Sequence, residues 1–313
     1  MKSFALHAGI VLTLFALQFV LPAYHHANAA RIMVYAVLAV GYNVLLGYTG
    51  LMSLGHAMFF AAGAYGAGIA VYWFGMGPLA AFAIGSGSGL VLSLVAGLFL
   101  LRTTGVAFLI VTLMLSQAFF LSTLYFNGIT LGEQGMVLSK LAAVEAFGIS
   151  FSLGDPAVKY NMALAAFTVA LFVSLWLVRS PLGRVLIAIR ENEPRTRMLG
   201  YNTFAYRYLA IAVSGTIAGL SGALYCLLFS YVGSSFASLQ YSTLPLLWTL
   251  LGGVGTIIGP LIGTGLMFYL VDISSGFTSS YLLVVGATLL VLTLWFPKGI
   301  AGAIRARWLA WLP

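Results

Sequence analysis

The chain has 313 residues, of which 62% are hydrophobic and only 6% are charged. Soluble domains carry about 25% charged residues, so this composition excludes a soluble globular protein. Long unbroken apolar runs predict an all-α, polytopic transmembrane helical bundle and exclude a transmembrane β-barrel, which needs short alternating segments. The net charge of +8 falls in the loops, as membrane topology requires, so we expect no nucleic-acid partner.

About ten spans with interrupted helices are predicted, and residues 1–313 are expected to form a single transmembrane domain. With both termini in the cytoplasm, every strongly basic loop lies on the same side of the bilayer. The first apolar run, of about 18 residues, exceeds a usual signal-peptide core, so we expect a retained helix followed by an external loop over 22–31. The predicted spans are 4–21, 32–47, 56–74, 78–101, 106–125, 160–178, 208–231, 244–251, 261–272 and 281–296.

Two glycine-rich stretches interrupt the apolar spans. Leu45-Leu46-Gly47-x-x-Gly50 matches Leu250-Leu251-Gly252-x-x-Gly255, and each stands where an inward span turns outward. Non-helical backbone at membrane depth is tolerated only where protein or a water-filled path covers it, so a pair of such stretches favours a substrate path. For the glycines, the alternative is close helix packing through small residues. For His56, the alternative is a histidine that is packed and hydrogen-bonded within the bundle and binds no ligand. The candidate path residues are Asn43, Gly47, Thr49, Gly50, Ser53, His56, Gly252 and Gly255.

The segment 179–207 is the most polar part of the chain, and its excess of arginine places it in the cytoplasm. Ser180-Pro181 is typical of a helix start, Pro194 is expected to divide the segment into two short helices, and residues 200–202 are expected to end it. The segment either only fixes topology or docks a soluble partner. The candidate docking residues are Arg184, Leu186, Ile189, Arg190, Glu191, Asn192, Glu193 and Met198.

The polar segment 127–159 is nearly charge-balanced and is expected to lie outside, where a partner can rest. The single cysteine, Cys226, excludes an intrachain disulfide and a cysteine-based metal cluster. The spans contain very few ionisable groups, chiefly His56 and Asp272. Because carriers driven by ion gradients keep acidic or ion-ligating groups inside the membrane, we expect this chain to take its energy from a partner.

Several motifs resemble the membrane subunits of ATP-binding-cassette importers for branched-chain amino acids. Residues 42–60 (YNVLLGYTGLMSLGHAMFF) are similar to the signature of that family. Residues 180–184 (SPLGR), 188–193 (AIRENE) and 199–200 (LG) are similar to its cytoplasmic coupling segment, and 297–300 (PKGI) also fits. The resemblance covers nearly the whole chain and is closest to the M-type permease for leucine, isoleucine and valine.

The resemblance implies a non-catalytic subunit in the bacterial inner membrane that binds no cofactor or metal itself. A paralogous second permease, two cytoplasmic ATPases that use ATP and Mg²⁺, and a periplasmic substrate-binding protein would complete the importer. Relatives also carry urea and short amides, so the substrate stays open. An autonomous channel or carrier for a small neutral solute is the alternative. A membrane-embedded enzyme would need clustered His, Asp or Glu at one membrane face, and the sequence has none.

Overall fold

The computed structural model describes residues 2–138, 144–146, 149–296 and 298–307. Residues 139–143 and 147–148 of the predicted external segment, and Pro297 of the 297–300 motif, lie outside the described residues. Thirteen α-helices form in the described part: α1 Lys2–Leu17, α2 Ala23–Asn43, α3 Ala57–Tyr72, α4 Pro78–Leu100, α5 Gly105–Tyr125, α6 Asn127–Thr130, α7 Pro156–Arg179, α8 Pro181–Met198, α9 Thr203–Phe229, α10 Leu239–Gly252, α11 Gly259–Phe277, α12 Tyr281–Trp295 and α13 Gly299–Arg307.

An α-helix accompanies each of the ten predicted spans, although not all of these helices have the length of a bilayer crossing. Within the described residues, six helical stretches are long and apolar enough to cross a membrane. They are Tyr24–Tyr48, Pro78–Leu100, Gly105–Tyr125, Pro156–Arg179, Thr203–Phe229 and Gly259–Phe277. The helical, polytopic architecture expected from composition is therefore confirmed.

Residues 22–31 are not the predicted external loop. Pro22 caps α2, which begins at Ala23, so most of this stretch is helical. The helix extends because its alanine-rich sequence favours helix and because His26 Nε2 lies 2.9 Å from the Gln18 carbonyl oxygen, which ties α2 to the preceding turn. The polar residues at the end of this span therefore form the first turns of the helix and not a loop.

Four short strands lie outside the helices and add a small departure from an all-α chain. β1 (Met136–Val137) pairs antiparallel with β4 (Tyr231–Val232), directly after α9. β2 (Val144–Ala146) pairs antiparallel with β3 (Ile149–Phe151) within the predicted external segment. The β1–β4 pair fixes the segment after α6 to the C-terminal end of α9, and the Leu138 amide extends it by donating to the Ser230 carbonyl over 2.9 Å.

The central helix is α9, which packs along α2, α3 and α4. Glycines allow this close approach: a Cβ on Gly63 would lie 1.9 Å from the Gly219 carbonyl oxygen, and one on Gly89 would lie 2.5 Å from the Gly219 Cα. Serine hydroxyls add bonds between helices, as Ser221 donates to the Val34 carbonyl over 2.7 Å. Small residues and hydroxyls at helix contacts are the usual way to hold a bundle together where lipid supplies no hydrophobic drive.

Candidate functional site

Both predicted interruptions are present at the predicted positions. After α2 the helix widens to a π-helix over Val44–Tyr48, and the chain is non-helical from Gly50 until α3 begins at Ala57. α10 ends at Gly252, and α11 begins at Gly259. Gly50, Gly253 and Gly255 have φ angles of +72°, +125° and +71°, a region that only glycine enters at little cost.

Asn43, buried at the end of α2, joins the two interruptions. Its side-chain amide donates to the Thr256 carbonyl over 2.9 Å, and its oxygen accepts from the Gly255 amide over 2.9 Å. A Cβ on Gly47 would lie 2.7 Å from the Gly255 nitrogen, so the two backbones touch. Segments separated by about two hundred residues in sequence therefore form one unit, which the matching Leu-Leu-Gly motifs did not by themselves predict.

Helix α8 carries the polar segment and is divided as predicted. Ser180 caps its start by accepting from the Gly183 amide over 3.2 Å. The helix breaks at Asn192 (φ −161°, ψ 94°), two residues before Pro194, because the proline ring excludes a continuous helix through its preceding turn. Asn192 Oδ1 then accepts from the Arg195 amide over 2.9 Å and caps the second half.

Arg190, in the first half of α8, reaches the interruptions. Its Nη1 donates to the Gly47 carbonyl, and its aliphatic stem lies beside Gly50, where a Cβ would be 3.2 Å from its Cγ. The same Nη1 would be 3.2 Å from a Cβ on Gly255. From α13, Arg305 donates to the Gly255 carbonyl over 3.2 Å. Two arginines thus hold carbonyls of the two interruptions, and one of them belongs to the predicted docking helix.

The two faces of α8 differ in what they contact. Leu186 is 0% and Ile189 is 5% exposed, since both pack against other helices of this chain. Met198 is 86% exposed. The buried pair therefore anchors α8 to the bundle, which revises their predicted contact with a partner. The surface left for a partner includes the exposed residues Arg184, Glu191, Asn192 and Met198.

Glu193 is held by an arginine from α9. Arg207, which is 6% exposed, places Nη1 at 3.0 and 2.9 Å from the two Glu193 carboxylate oxygens. Arg197 approaches the same carboxylate at 3.5 Å but is largely exposed. The second half of α8 is therefore fixed to the start of α9. No local sequence pattern marks Arg207 for this role, although the residue closes the polar segment and lies on the apolar helix α9.

The remaining candidate path residues make local contacts. Thr49 donates to the Leu45 carbonyl, and Ser53 accepts from the Gly55 amide over 3.2 Å. His56 Nε2 lies 3.1 Å from the Ser214 hydroxyl of α9, and its ring is fully buried. A Cβ on Gly252 would lie 1.8 Å from the Gly259 carbonyl oxygen. Close packing and capping account for these four, whereas Asn43, Gly47, Gly50 and Gly255 meet beside Arg190.

A second cluster, which the sequence did not reveal, lies where the middle of α2 meets the C-terminal end of α9 and the start of α10. Tyr35 and Tyr241 place their hydroxyl oxygens 2.7 Å apart. The Tyr225 ring lies 5.3 Å from that of Tyr35 and 5.2 Å from that of Phe236, and Phe60 stacks on Tyr241 at 6.0 Å. We call these five residues the aromatic cluster. Its members come from four helices and a 3₁₀ turn, so no local motif marks them.

Two cavities flank the bundle. One of about 750 Å³ runs between α4, α7 and α9 and has an almost wholly apolar lining. The other, of about 480 Å³, lies beside the break in α8. The second is lined by Leu101, Thr104, Glu193, Pro194, Arg197, Met198, Thr203, Phe204 and Arg207. The break in α8 therefore borders open space rather than tightly packed helix.

Comparison with known proteins agrees with this architecture. A family model described as the permease component of branched-chain amino acid transport systems matches residues 27–294. The permease protein LivM of a high-affinity branched-chain amino acid transport system in Salmonella typhimurium is 28% identical over 305 residues. That match covers 89% of this chain and 70% of the relative.

Other relatives carry the same description. LivM of Escherichia coli is 27% identical over 300 residues, again covering 89% of this chain and 70% of the relative. The Escherichia coli permease protein LivH is 25% identical over 289 residues, covering 86% of this chain and 91% of the relative. No solved structure matches the chain. The matched region includes both interruptions, α8 and the aromatic cluster.

Proposed function

The chain belongs to the family of permease components of branched-chain amino acid transport systems, and we propose that it is a membrane subunit of an ATP-driven importer for these amino acids. LivM and LivH are both named as permease proteins of such systems and both match this chain. We accordingly propose a paralogous permease as its membrane partner. Two cytoplasmic ATPases and a periplasmic binding protein would complete the complex in the bacterial inner membrane.

The observation that carries the proposal is the bond from Arg190 on α8 to the Gly47 carbonyl. An ATPase that closes against the exposed side of α8 would shift the half of this helix that carries Arg190 as a rigid body. Arg190 would then pull on the first interruption, and Asn43 would transmit the displacement to the second. A loop that only fixed topology would have no need of an arginine that bonds to the backbone of an interrupted helix.

The contacts that hold each half of α8 determine where the helix can bend. Leu186 and Ile189 bury the first half against the bundle, and the Glu193–Arg207 pair holds the second half to α9. The Asn192 break lies between them and is the point where backbone angles can change without loss of a helical hydrogen bond. ATP-driven closure would therefore bend α8 at Asn192 and displace Arg190.

Co-expression tests this function most directly. The tagged chain, produced with its candidate partner permease and ATPases, is purified, and the proteins that accompany it are identified by mass spectrometry. The complex is then reconstituted in liposomes with binding protein and leucine. We expect ATPase activity that rises with leucine-loaded binding protein, and leucine uptake that stops when ATP is replaced by ADP.

The alternative gives a distinct result. If the chain purifies alone and moves leucine, urea or a short amide down a gradient without ATP, it is an autonomous channel or carrier. Stimulation of the ATPase by urea-loaded or amide-loaded binding protein, but not by the leucine-loaded protein, would keep the importer and change its substrate.

A further inference from the structure

Two cations share one aromatic ring at the end of the bundle remote from α8. The guanidinium carbon of Arg31 on α2 lies 4.8 Å from the centroid of Phe229, and the Lys159 ammonium on α7 lies 5.9 Å from the same centroid. Arg31 and Lys159 are both partly buried. Among the side chains that the structure describes, no carboxylate lies within ion-pair distance of either one. Two neighbouring positive charges without an acid attract an anion.

Arg31 also has unused hydrogen-bonding capacity. Its Nε is shielded from solvent and has no hydrogen-bond partner in the described structure. A buried N–H without a partner costs free energy that a ligand can recover by bonding to it. The planar guanidinium matches a carboxylate bidentately, which a lysine ammonium cannot do.

The aromatic cluster adjoins these cations. The Phe229 ring lies 4.7 Å from Tyr225, which stacks on Tyr35, and Arg31 interacts electrostatically with the Tyr241 hydroxyl. The Tyr35 and Tyr241 oxygens can accept hydrogen bonds from an ammonium group, and the rings attract it through cation–π interaction. The Tyr241 ring is half-buried and presents apolar surface to an aliphatic side chain, whereas the other four rings are 0–8% exposed and pack behind it. Positive charge, hydroxyl oxygens and apolar wall are the three features that a hydrophobic α-amino acid requires.

The cluster lies midway along one interrupted helix and at the start of the other. α2 begins at Ala23 and carries Arg31 and Tyr35 before it reaches Asn43, and α10 runs from Leu239, near Tyr241, to Gly252. Along α9, Arg207 and Phe229 are separated by about 33 Å of helix, close to the thickness of the hydrocarbon core. The cations therefore stand at one face of the membrane and Arg190 at the other.

We propose that Arg31, supported by Lys159, binds the carboxylate of a hydrophobic amino acid as it enters the permease, with the half-buried rings of Phe229 and Tyr241 taking its side chain and ammonium group. This assignment rests on the proposed function, since it names how that importer would receive its substrate. It places the entry site at residues outside both interruptions.

Leucine binding to the complete permease–ATPase complex in nanodiscs, without binding protein, tests the assignment. We expect the wild type to bind radiolabelled L-leucine. The affinity of Arg31→Gln should be lower by a factor of about ten or more, since the charged hydrogen bonds between the guanidinium and the carboxylate are lost. Arg31→Lys should restore part of the binding. Arg102→Gln is the matched control, because Arg102 also stacks on a phenylalanine ring, at 5.8 Å from Phe99, but lies at the opposite end of the bundle.

Competition with leucinamide separates recognition from stability. Leucinamide lacks the carboxylate, so it should compete poorly on the wild type and about as well as leucine on Arg31→Gln. A purely structural role for Arg31 would lower the affinity for both ligands together. Equal leucine affinities for wild type and Arg31→Gln would overturn the assignment.

The remaining outcomes separate this site from the importer function. If Arg31→Gln takes up leucine with ATP and binding protein as the wild type does, the importer stands and the site is wrong. If the wild type binds leucine through Arg31 but shows no ATP-dependent uptake, the site stands and the importer is wrong. Loss of co-purifying anionic phospholipid in Arg31→Gln, with leucine affinity unchanged, would assign the cations to a lipid headgroup and overturn the proposal.

Discussion

The two ends of the bundle use arginine in opposite ways. At the end that carries α8, Arg190 and Arg305 donate to glycine carbonyls, and Arg207 is paired with Glu193. At the remote end, Arg31 and Lys159 share a phenylalanine ring without an acid among the described residues. Charges that are paired with a carboxylate or a carbonyl fix the relative positions of helices. Charges without such a partner leave a site that can bind an anion. The difference predicts that mutations at the first end mainly affect stability and movement, and those at the second mainly affect binding.

The largest effect is expected from Asn43→Ala. The change would leave the Gly255 amide and the Thr256 carbonyl buried without partners, which costs about 2–6 kcal/mol of unfolding free energy at about 1–3 kcal/mol each. Thermal unfolding of the complex in nanodiscs measures it. Asn161→Ala is the control, because this exposed amide bonds only to Gln18 and to its own helix. Equal destabilisation by the two variants would show that the interruptions do not depend on Asn43.

The next effect is expected from Glu193→Ala, which leaves Arg207 charged, buried and without its partner. We expect a loss of about 2–3 kcal/mol, because removing one member of a buried pair exposes the full desolvation cost of the other. Adding Arg207→Met should recover part of that loss. The control is Glu191→Ala, since the Glu191 side chain is exposed. If the double variant is less stable than Glu193→Ala, the pair is not the reason for the loss.

Arg31→Gln should change stability by less than about 1 kcal/mol, since it removes no ion pair and relieves repulsion with Lys159. Leucine binding should nevertheless fall. The same nanodisc preparation can be used to measure both quantities, by thermal unfolding and by radioligand binding. A large loss of stability would mean that Arg31 serves the fold, as Arg207 does, and the contrast between the two ends would disappear.

The smallest effect is expected from Arg197→Ala. Arg197 lies 3.5 Å from Glu193, but 72% of its side chain is exposed, so the pair is worth at most about 0.5 kcal/mol. Thermal unfolding at low and high salt measures the contribution. A loss as large as that of Glu193→Ala would show that the three charged residues act as one network.

Much of the architecture was predictable because it follows from local chemistry. Apolar runs located the helices, Ser180-Pro181 located the start of α8, and the glycines located both interruptions. The helical start of α2 was missed because polar residues at the end of a span resemble a loop. Leu186 and Ile189 were expected to meet a partner, since an amphipathic pattern does not say which body covers the apolar face.

The contacts between distant segments were not predictable from the chain alone. The Asn43 bridge joins residues about two hundred positions apart, and the aromatic cluster draws on residues from 35 to 241. Neither has a local sequence signature, because each depends on how α2, α9 and α10 cross. The matching Leu-Leu-Gly motifs indicated two related breaks, and only the fold brings them into contact.

The central claim is that Arg190 transmits ATPase closure to the interruptions, and Arg190→Ala tests it most directly. Leucine uptake and leucine-stimulated ATP hydrolysis are measured in the same proteoliposomes, with Arg102→Ala, an exposed arginine outside α8, as the control. We expect Arg190→Ala to retain ATP hydrolysis and to lose most leucine uptake, while Arg102→Ala keeps both. Uptake at the wild-type level by Arg190→Ala, or a loss of uptake in proportion to hydrolysis, would contradict the account.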